Sequence, residues 1–341
     1  MIEIEPFSLP LSRPLSTASG TIEEREGFLV RLEYGGVTGV GEATPLPGWT
    51  ESYGACHEAL ARAPDLAREE DWGVVLSETS EPAARHALAL ALADARAKVD
   101  NQPLYRYLGN ERLVRRVPVN ATIGDMDRED TVEMARAAVE EGFDCIKVKV
   151  GARSVDADVA RLRAVREAVG DGVALRADAN GAWDREQAER ALHELADLDL
   201  AYVEQPLPAD DVAGHSGLRE NGVPIALDES LASRQVADVL AAEAADYLVL
   251  KPMALGGPDR ARQAARSARQ AGVTPVVSTT VDAVVARTAA VHVAAAIQEV
   301  PACGLATAEW LAEDLGPDPA PVADGECEVP QAKGLGVREV G

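Results

Sequence analysis

Only five lysines occur in this 341-residue chain, and three of them close short apolar runs. Lys147 and Lys149 end Cys145-Ile-Lys-Val-Lys-Val150, and Lys251 ends Tyr247-Leu-Val-Leu-Lys251. Arginine supplies nearly all the remaining positive charge. The choice matters chemically, because a lysine pKa can fall far enough for the amine to act as a base and an arginine's cannot. Between these lysines, three further runs end in carboxylates: Arg176-Ala-Asp-Ala-Asn180, Val203-Glu-Gln-Pro206 and Leu227-Asp-Glu-Ser230. Amines facing carboxylates are the equipment for taking a proton from carbon beside a metal ion. Asp178, Glu204 and Asp228, with no histidine among them, form an oxygen-only ligand set. That set suits Mg2+, with Mn2+ as a substitute, and not zinc.

The intervals from Lys149 to Asp178, Glu204, Asp228 and Lys251 are 29, 26, 24 and 23 residues. A barrel of alternating strands and helices uses roughly 31 residues per unit, and fewer when loops are short. Each interval is therefore about one unit, which places these side chains at the C-terminal ends of consecutive strands, the rim where barrel active sites form. Lys147 and Lys149, two apart on one strand, point to the same face, and two close ammonium groups should lower the pKa of at least one. A blander reading makes the lysines buried counter-ions. It explains the charge balance but gives no reason for three costly pairs at one rim.

The elements that must carry these residues are legible in outline. From Val117 onward, short apolar runs at 117–123, 145–150, 174–178, 201–204, 225–228, 247–251, 274–278 and 302–306 alternate with amphipathic stretches such as 131–141, 155–169 and 185–198. Parallel strands need crossover helices, so the pattern predicts an α/β fold with a (β/α)8-type barrel. Gly142, Gly170 and Gly272 sit where helices should stop. Before residue 100 the chain reads as α+β. Strands at 28–34 and 37–42 meet at Gly35-Gly36, a hairpin turn, and a helix runs over 81–99. The expected organisation is a capping domain at 1–112, a barrel at 113–312, and a tail at 313–341 that returns to the cap.

Composition narrows the partners. A net charge of −24 argues against nucleic acid and anionic membranes and fits a protein kept soluble in concentrated salt, so a halophilic source is expected. The N-terminus has no signal-peptide pattern and no run is long enough to span a bilayer. Cys56, Cys145, Cys303 and Cys327 have neither disulfide nor metal spacing, which suits a cytoplasmic enzyme. The five histidines lie away from the strand ends, and His193 and His292, within helical stretches, read as packing or surface residues. Oligomeric state is not readable.

The set Lys147-Val-Lys149, Asp178-Ala-Asn180, Glu204-Gln-Pro206, Asp228-Glu-Ser230 and Lys251-Pro252 resembles the enolase superfamily, specifically its muconate-lactonizing subgroup. Gly41–Gly48, Ser278–Arg287, Ala290–Ala294 and Gly304–Thr307 with Trp310 resemble, within it, the o-succinylbenzoate synthases. The resemblance implies a (β/α)7β barrel and a Mg2+-dependent carbon–oxygen lyase acting on a small-molecule carboxylate in menaquinone biosynthesis. By motif, Lys149 would be the base and Lys251 its partner across the site. Asp178, Glu204 and Asp228 would hold the metal, and Asn180 and Glu229 would orient those ligands. Lys147 would meet the substrate carboxylate and hold down the Lys149 pKa. Ser278, Thr279 and the backbone at Gly304 would line the succinyl pocket, and Thr17, Ser19 and Gly20 would lie on a cap loop. Arg176 is given no catalytic role, only a rim ion pair. N-succinylamino acid racemases and dipeptide epimerases share the site. Epimerases carry an acidic Asp-x-Asp where this chain has Ala306-Thr-Ala308. A class I aldolase would not need the carboxylates, and a non-catalytic scaffold would have lost some of these residues.

Overall fold

The computed structural model describes residues 1–17 and 20–340. The chain opens with an antiparallel sheet of β1 (Ile2–Thr17), β2 (Gly20–Tyr34) and β3 (Val37–Ala43) in sequential order. Gly35 and Gly36 take φ of 59° and 79°, the left-handed pair that a tight hairpin demands. An alanine-rich helix, Pro82–Val99, packs across β3, and glycine lets it come close. A Cβ on Gly39 would lie 1.9 Å from the Ala91 carbonyl oxygen, and one on Gly41 would lie 2.0 Å from that of Ala87. This small-residue packing explains how the cap manages with few aromatics. The long β1–β2 hairpin and the helix Tyr53–Glu69 were not foreseen, because neither carries a clean apolar period.

The main sheet is parallel, with strands in the order β11 to β5: β5 (Ala121–Ile123), β6 (Cys145–Lys149), β7 (Ala174–Asp178), β8 (Leu200–Glu204), β9 (Ile225–Leu227), β10 (Tyr247–Leu250) and β11 (Thr274–Val277). Helices cover its outer face, the sheet curls into a barrel, and the antiparallel cap meets the barrel at the C-terminal ends of β10 and β11. Two expected strands differ. Residues 302–306 form no extended strand but close the barrel through single parallel bridges, Val119 to Cys303 and Ser278 to Gly304. The run 117–123 divides between two sheets. β4 (Arg116–Pro118) leaves the barrel to pair with the tail strand β13 (Glu326–Glu328), which also pairs with β12 (Val322–Ala323). Gly142, Gly170 and Gly272 all adopt positive φ at helix ends. Among the described residues, no helix is long and apolar enough to cross a membrane.

Beyond β13 the tail reaches the cap helix, where Leu335 N–H donates to Asp94 at 2.7 Å and Gly334 N–H donates to Gln102 O at 2.9 Å. It also touches His292 on the buried helix Val284–Ala295. The His292 Nε2–H faces the Leu335 carbonyl at 3.0 Å and Nδ1 accepts from the Tyr105 N–H at 3.3 Å, so both ring nitrogens are committed to the neutral form. Burial pushes this imidazole down to about 4, against the pull of the Leu335 carbonyl. A base whose folded value lies below its unfolded value stabilises the fold fully above the unfolded value, near 6.5, and loses that contribution as pH falls towards 4. The loss should be roughly 3 kcal/mol. Urea unfolding at pH 7 and pH 4 should show a flatter pH slope in His292→Leu than in wild type; equal slopes would mean that this ring does not carry the effect.

Candidate active site

Side-chain alternation makes two inward-facing layers in the barrel. The lower one holds Tyr202, Ala226, Val249 and Val276, a small apolar plug. Arg176 lies at the same level, where its guanidinium stands 4.7 Å from the Tyr202 ring centroid and donates to Ala302 O at 2.7 Å. It is a buried barrel-filling residue, not the rim ion pair expected, because its position two residues before Asp178 puts it one layer deeper. The upper layer brings the expected residues together at the C-terminal rim. Registers β6 to β7 and β7 to β8 place Lys149 beside Asp178 and Asp178 beside Glu204. Asp228 and Lys251 follow directly after β9 and β10.

These groups are paired with one another. Lys147 Nζ lies 3.0 Å from Glu204 Oε2 and 3.0 Å from Asp178 Oδ2. Lys149 Nζ donates to Asp178 Oδ2 at 2.7 Å and to Asn180 Oδ1 at 2.9 Å. Asn180 in turn donates to Glu229 Oε1 at 2.8 Å. Lys251 Nζ donates to Asp228 Oδ2 at 2.7 Å. Of the three lysines, Lys149 has 34% of its side chain exposed, against 12% for each of the others, so it is the amine that reaches the open side of the rim.

Carboxylates set the charge state around Lys147. Burial works against the Lys147 ammonium, but Asp178 and Glu204 outweigh it and hold its pKa well above the usual lysine value. Repulsion from Lys149 is a lesser effect on Lys147, because two carboxylates lie within bonding distance. Burial likewise opposes the Asp178 carboxylate, yet Lys147 and Lys149 hold its pKa well below the usual range. Glu204 goes the other way: burial, then Asp178, pushes it up to about 8, against the pull of Lys147.

Among the described residues, no three carboxylate, imidazole or thiol groups are gathered closely enough to enclose an ion, and Glu204 and Asp228 are bonded to Lys147 and Lys251. The chemistry of the donors nevertheless fits a divalent cation. Asp228 Oδ1 and Glu229 Oε2 are buried with no partner, which is costly for a carboxylate unless something cationic faces it. Four carboxyl groups (Asp178, Glu204, Asp228 and Glu229) also stand against three amines. With all of them ionised the rim would carry one excess negative charge, and a bound cation would favour that ionised state over the raised Glu204 value.

Two contributors escaped the sequence reading. Trp49, on the cap loop after Gly48, lays its ring 3.3 Å from Lys251 Nζ, a cation–π contact. Gln205, held at φ 42°, accepts from the N–H groups of Asp228 and Ser230 at 3.1 and 3.2 Å and so fixes the loop that presents Asp228. No spacing rule could show where a cap loop lands. Gln205 could have been suspected from its place between Glu204 and Pro206. One strand further round, Ser278 Oγ donates to Gly304 O at 3.2 Å and Thr279 Oγ1 meets Thr307 Oγ1 at 2.9 Å. Thr17 pairs with Gly20 across the first hairpin, and Ser19 lies outside the described residues. That hairpin docks on the rim, where Ala312 N–H donates to Pro10 O at 2.9 Å and the Arg13 guanidinium stacks 3.9 Å from the Trp310 ring centroid.

Similarity to known proteins agrees with this geometry. Residues 1–109 match the mandelate racemase / muconate lactonizing enzyme N-terminal domain, and residues 130–339 match the enolase C-terminal domain-like family. An o-succinylbenzoate synthase of Thermobifida fusca is 36% identical over 317 residues, covering 90% of this chain and 82% of the relative. An N-succinyl-L-Arg/Lys racemase of Bacillus cereus is 31% identical over 307 residues, covering 86% of this chain and 83% of the relative. A dipeptide epimerase from Enterococcus faecalis, solved with Mg and the dipeptide L-Leu-L-Tyr, superposes with a TM-score of 0.84 at 26% identity, covering 98% of each chain. Their activities differ, and what they share is the two-domain fold and a common ancestry. By both domains, this chain belongs to the enolase superfamily.

Proposed function

We propose that the chain is an o-succinylbenzoate synthase. It would catalyse the syn-dehydration of 2-succinyl-6-hydroxy-2,4-cyclohexadiene-1-carboxylate to 2-succinylbenzoate, a carbon–oxygen lyase step in menaquinone biosynthesis. The observation that carries this reading is the uncharged far wall. Ser278, Thr279, Gly304 and Thr307 bond to one another there, and residues 304–308 contain no carboxylate to receive an α-ammonium group. A succinyl chain fits such a wall better than the free amino terminus of a dipeptide. The identity to the Thermobifida relative supports the same choice.

Asp178, Glu204 and Asp228 would hold Mg2+, and Asn180 and Glu229 would orient them. A bound Mg2+ would polarise the substrate carboxylate and so acidify the adjacent C–H. Lys149 removes that proton. The new ammonium is received by Asp178 Oδ2 and Asn180 Oδ1, the partners it already has. The proton then passes from Lys149 to the departing hydroxyl on the same face, so that the C–O bond breaks, water leaves and the ring becomes aromatic. Lys251, held between Asp228 and the Trp49 ring, presents a fixed positive charge to the opposite face.

The test is direct. The purified protein should convert the cyclohexadiene to 2-succinylbenzoate, followed by ultraviolet absorbance. Efficient racemisation of N-succinylamino acids with no dehydration would instead favour the racemase reading. Stripping divalent ions with a chelator should abolish turnover, and Mg2+ should restore it. Full activity in a rigorously metal-free sample would rule out the assignment of the three carboxylates.

A further inference from the structure

Between Thr279 and the helix Val284–Ala295 the chain makes an unusual turn. Val281 sits at φ 60°, a left-handed conformation that a β-branched residue adopts only where its surroundings over-determine it. Asp282 ties back locally to the Thr280 N–H at 3.2 Å and to its hydroxyl, and the rest of the hold comes from the other domain. Arg25 on β2, almost fully buried, donates through Nε to the Val281 carbonyl at 3.2 Å. Its Nη2 and Nη1 are anchored on Thr44 O at 2.8 Å and Pro45 O at 3.1 Å. Glu42 on β3, wholly buried, accepts from the N–H of Ala283 at 2.9 Å and from that of Ala286 at 2.8 Å, one carboxylate oxygen for each. The Thr44 hydroxyl steadies the same carboxylate. The turn is thus gripped on both sides, at its carbonyl and at the first amides of the helix beyond it. Immediately before it stand Ser278 and Thr279.

We propose that Arg25 and Glu42 are positioning residues: they hold Val281 in its left-handed conformation from the cap and thereby set the Ser278–Thr279 wall of the substrate pocket. The cap would act on the pocket through the barrel's own loop, in addition to the Trp49 contact. The inference rests on the reading above only in taking Ser278 and Thr279 as pocket-lining. Neither Arg25 nor Glu42 touches Lys149 or the carboxylates, so losing the grip should loosen substrate binding more than the proton transfer.

Burial, and then Asp282, push the Glu42 carboxyl up to about 7 against its three hydrogen bonds, so the assay belongs at pH 8 or above, where the carboxylate is charged. Glu42→Gln puts an amide group where an N–H acceptor is needed. It should lower kcat/KM by roughly 30-fold, mainly through KM, the upper range for a coupling residue without ligand contact. Val281→Gly alone should cost about threefold, because glycine accepts the turn without strain but frees the loop. The decisive variant is the double one. If the grip exists to hold a strained Val281, glycine makes it largely unnecessary, and Glu42→Gln with Val281→Gly should recover to within about fivefold of wild type. A double variant as impaired as the product of the singles, or worse, would overturn the proposal. Should Glu42→Gln fail to fold, Arg25→Lys, which keeps the charge but cannot span three carbonyls, repeats the cycle.

Two further readouts separate positioning from bulk stability. Mg2+ affinity by calorimetry should be unchanged in every variant. Hydrogen exchange of the peptide covering 278–287 should rise in Glu42→Gln while the segment covering 145–178 stays protected; a rise throughout the barrel would point to a merely structural role. If wild type dehydrates nothing but racemises, the same cycle is run on racemisation. If it turns over neither substrate, the functional reading fails, and the exchange data alone decide for or against the grip.

Discussion

Lys149→Ala should lower kcat by at least about a thousandfold while leaving the fold and metal binding in place. The expectation comes from position. Lys149 is the most exposed of the three rim lysines, so its removal opens no core cavity. Asp178, which it leaves behind, keeps Lys147 at 3.0 Å and so is not stranded without a counter-ion. The cost to stability should therefore be small, and thermal unfolding should shift by a few degrees at most. The catalytic cost should be large, because proton removal by a positioned base typically contributes 10²–10⁴-fold and in the proposed dehydration the same group also delivers the proton to the leaving hydroxyl. The check is kcat beside Mg2+ affinity and circular dichroism on one preparation. A variant that keeps more than about a hundredth of wild-type turnover would move the base elsewhere.

The parts of this site that were legible in the sequence are those governed by periodicity. A strand of alternating side chains followed by a helix repeats at a nearly fixed interval, so the 23-to-29-residue spacings sufficed to put Lys149, Asp178, Glu204, Asp228 and Lys251 on one rim. The same rule failed at residues 117–123 and 302–306. Both lie at the seam where the barrel closes, and at the first of them the tail strand takes the backbone hydrogen bonds of residues 116–118. Arg176 was misplaced for a related reason: its distance from the rim depends on depth within the barrel, and charge alone does not reveal depth. Contacts across the cap–barrel interface were beyond reach. Trp49 on Lys251, Glu42 on Ala283 and Arg25 on Val281 join residues separated by 202, 241 and 256 positions, and no local pattern encodes them. The carboxylate partners of Lys147 were beyond reach for the same reason, since its sequence neighbour is Lys149. In space the closest charges are Asp178 and Glu204.

Lys251→Arg should separate dehydration from racemisation. A one-base elimination needs Lys251 only as a cation, whereas a racemase must also take a proton with it from the opposite face. Arginine keeps the charge and cannot act as a base. The surroundings of Lys251 make the exchange informative, since a planar guanidinium can still stack on the Trp49 ring that now faces Nζ at 3.3 Å and still bond Asp228. Its greater bulk will cost something in either reaction, so neither rate alone is decisive. The ratio of the two losses in kcat/KM cancels the common misfit and reports the difference in transition-state free energy. The expected result is a loss of about tenfold in dehydration, against a loss of at least about a thousandfold in any succinylamino acid racemisation the wild type shows. Equal losses would mean that Lys251 exchanges protons in both reactions, and its role here would then be that of a second base.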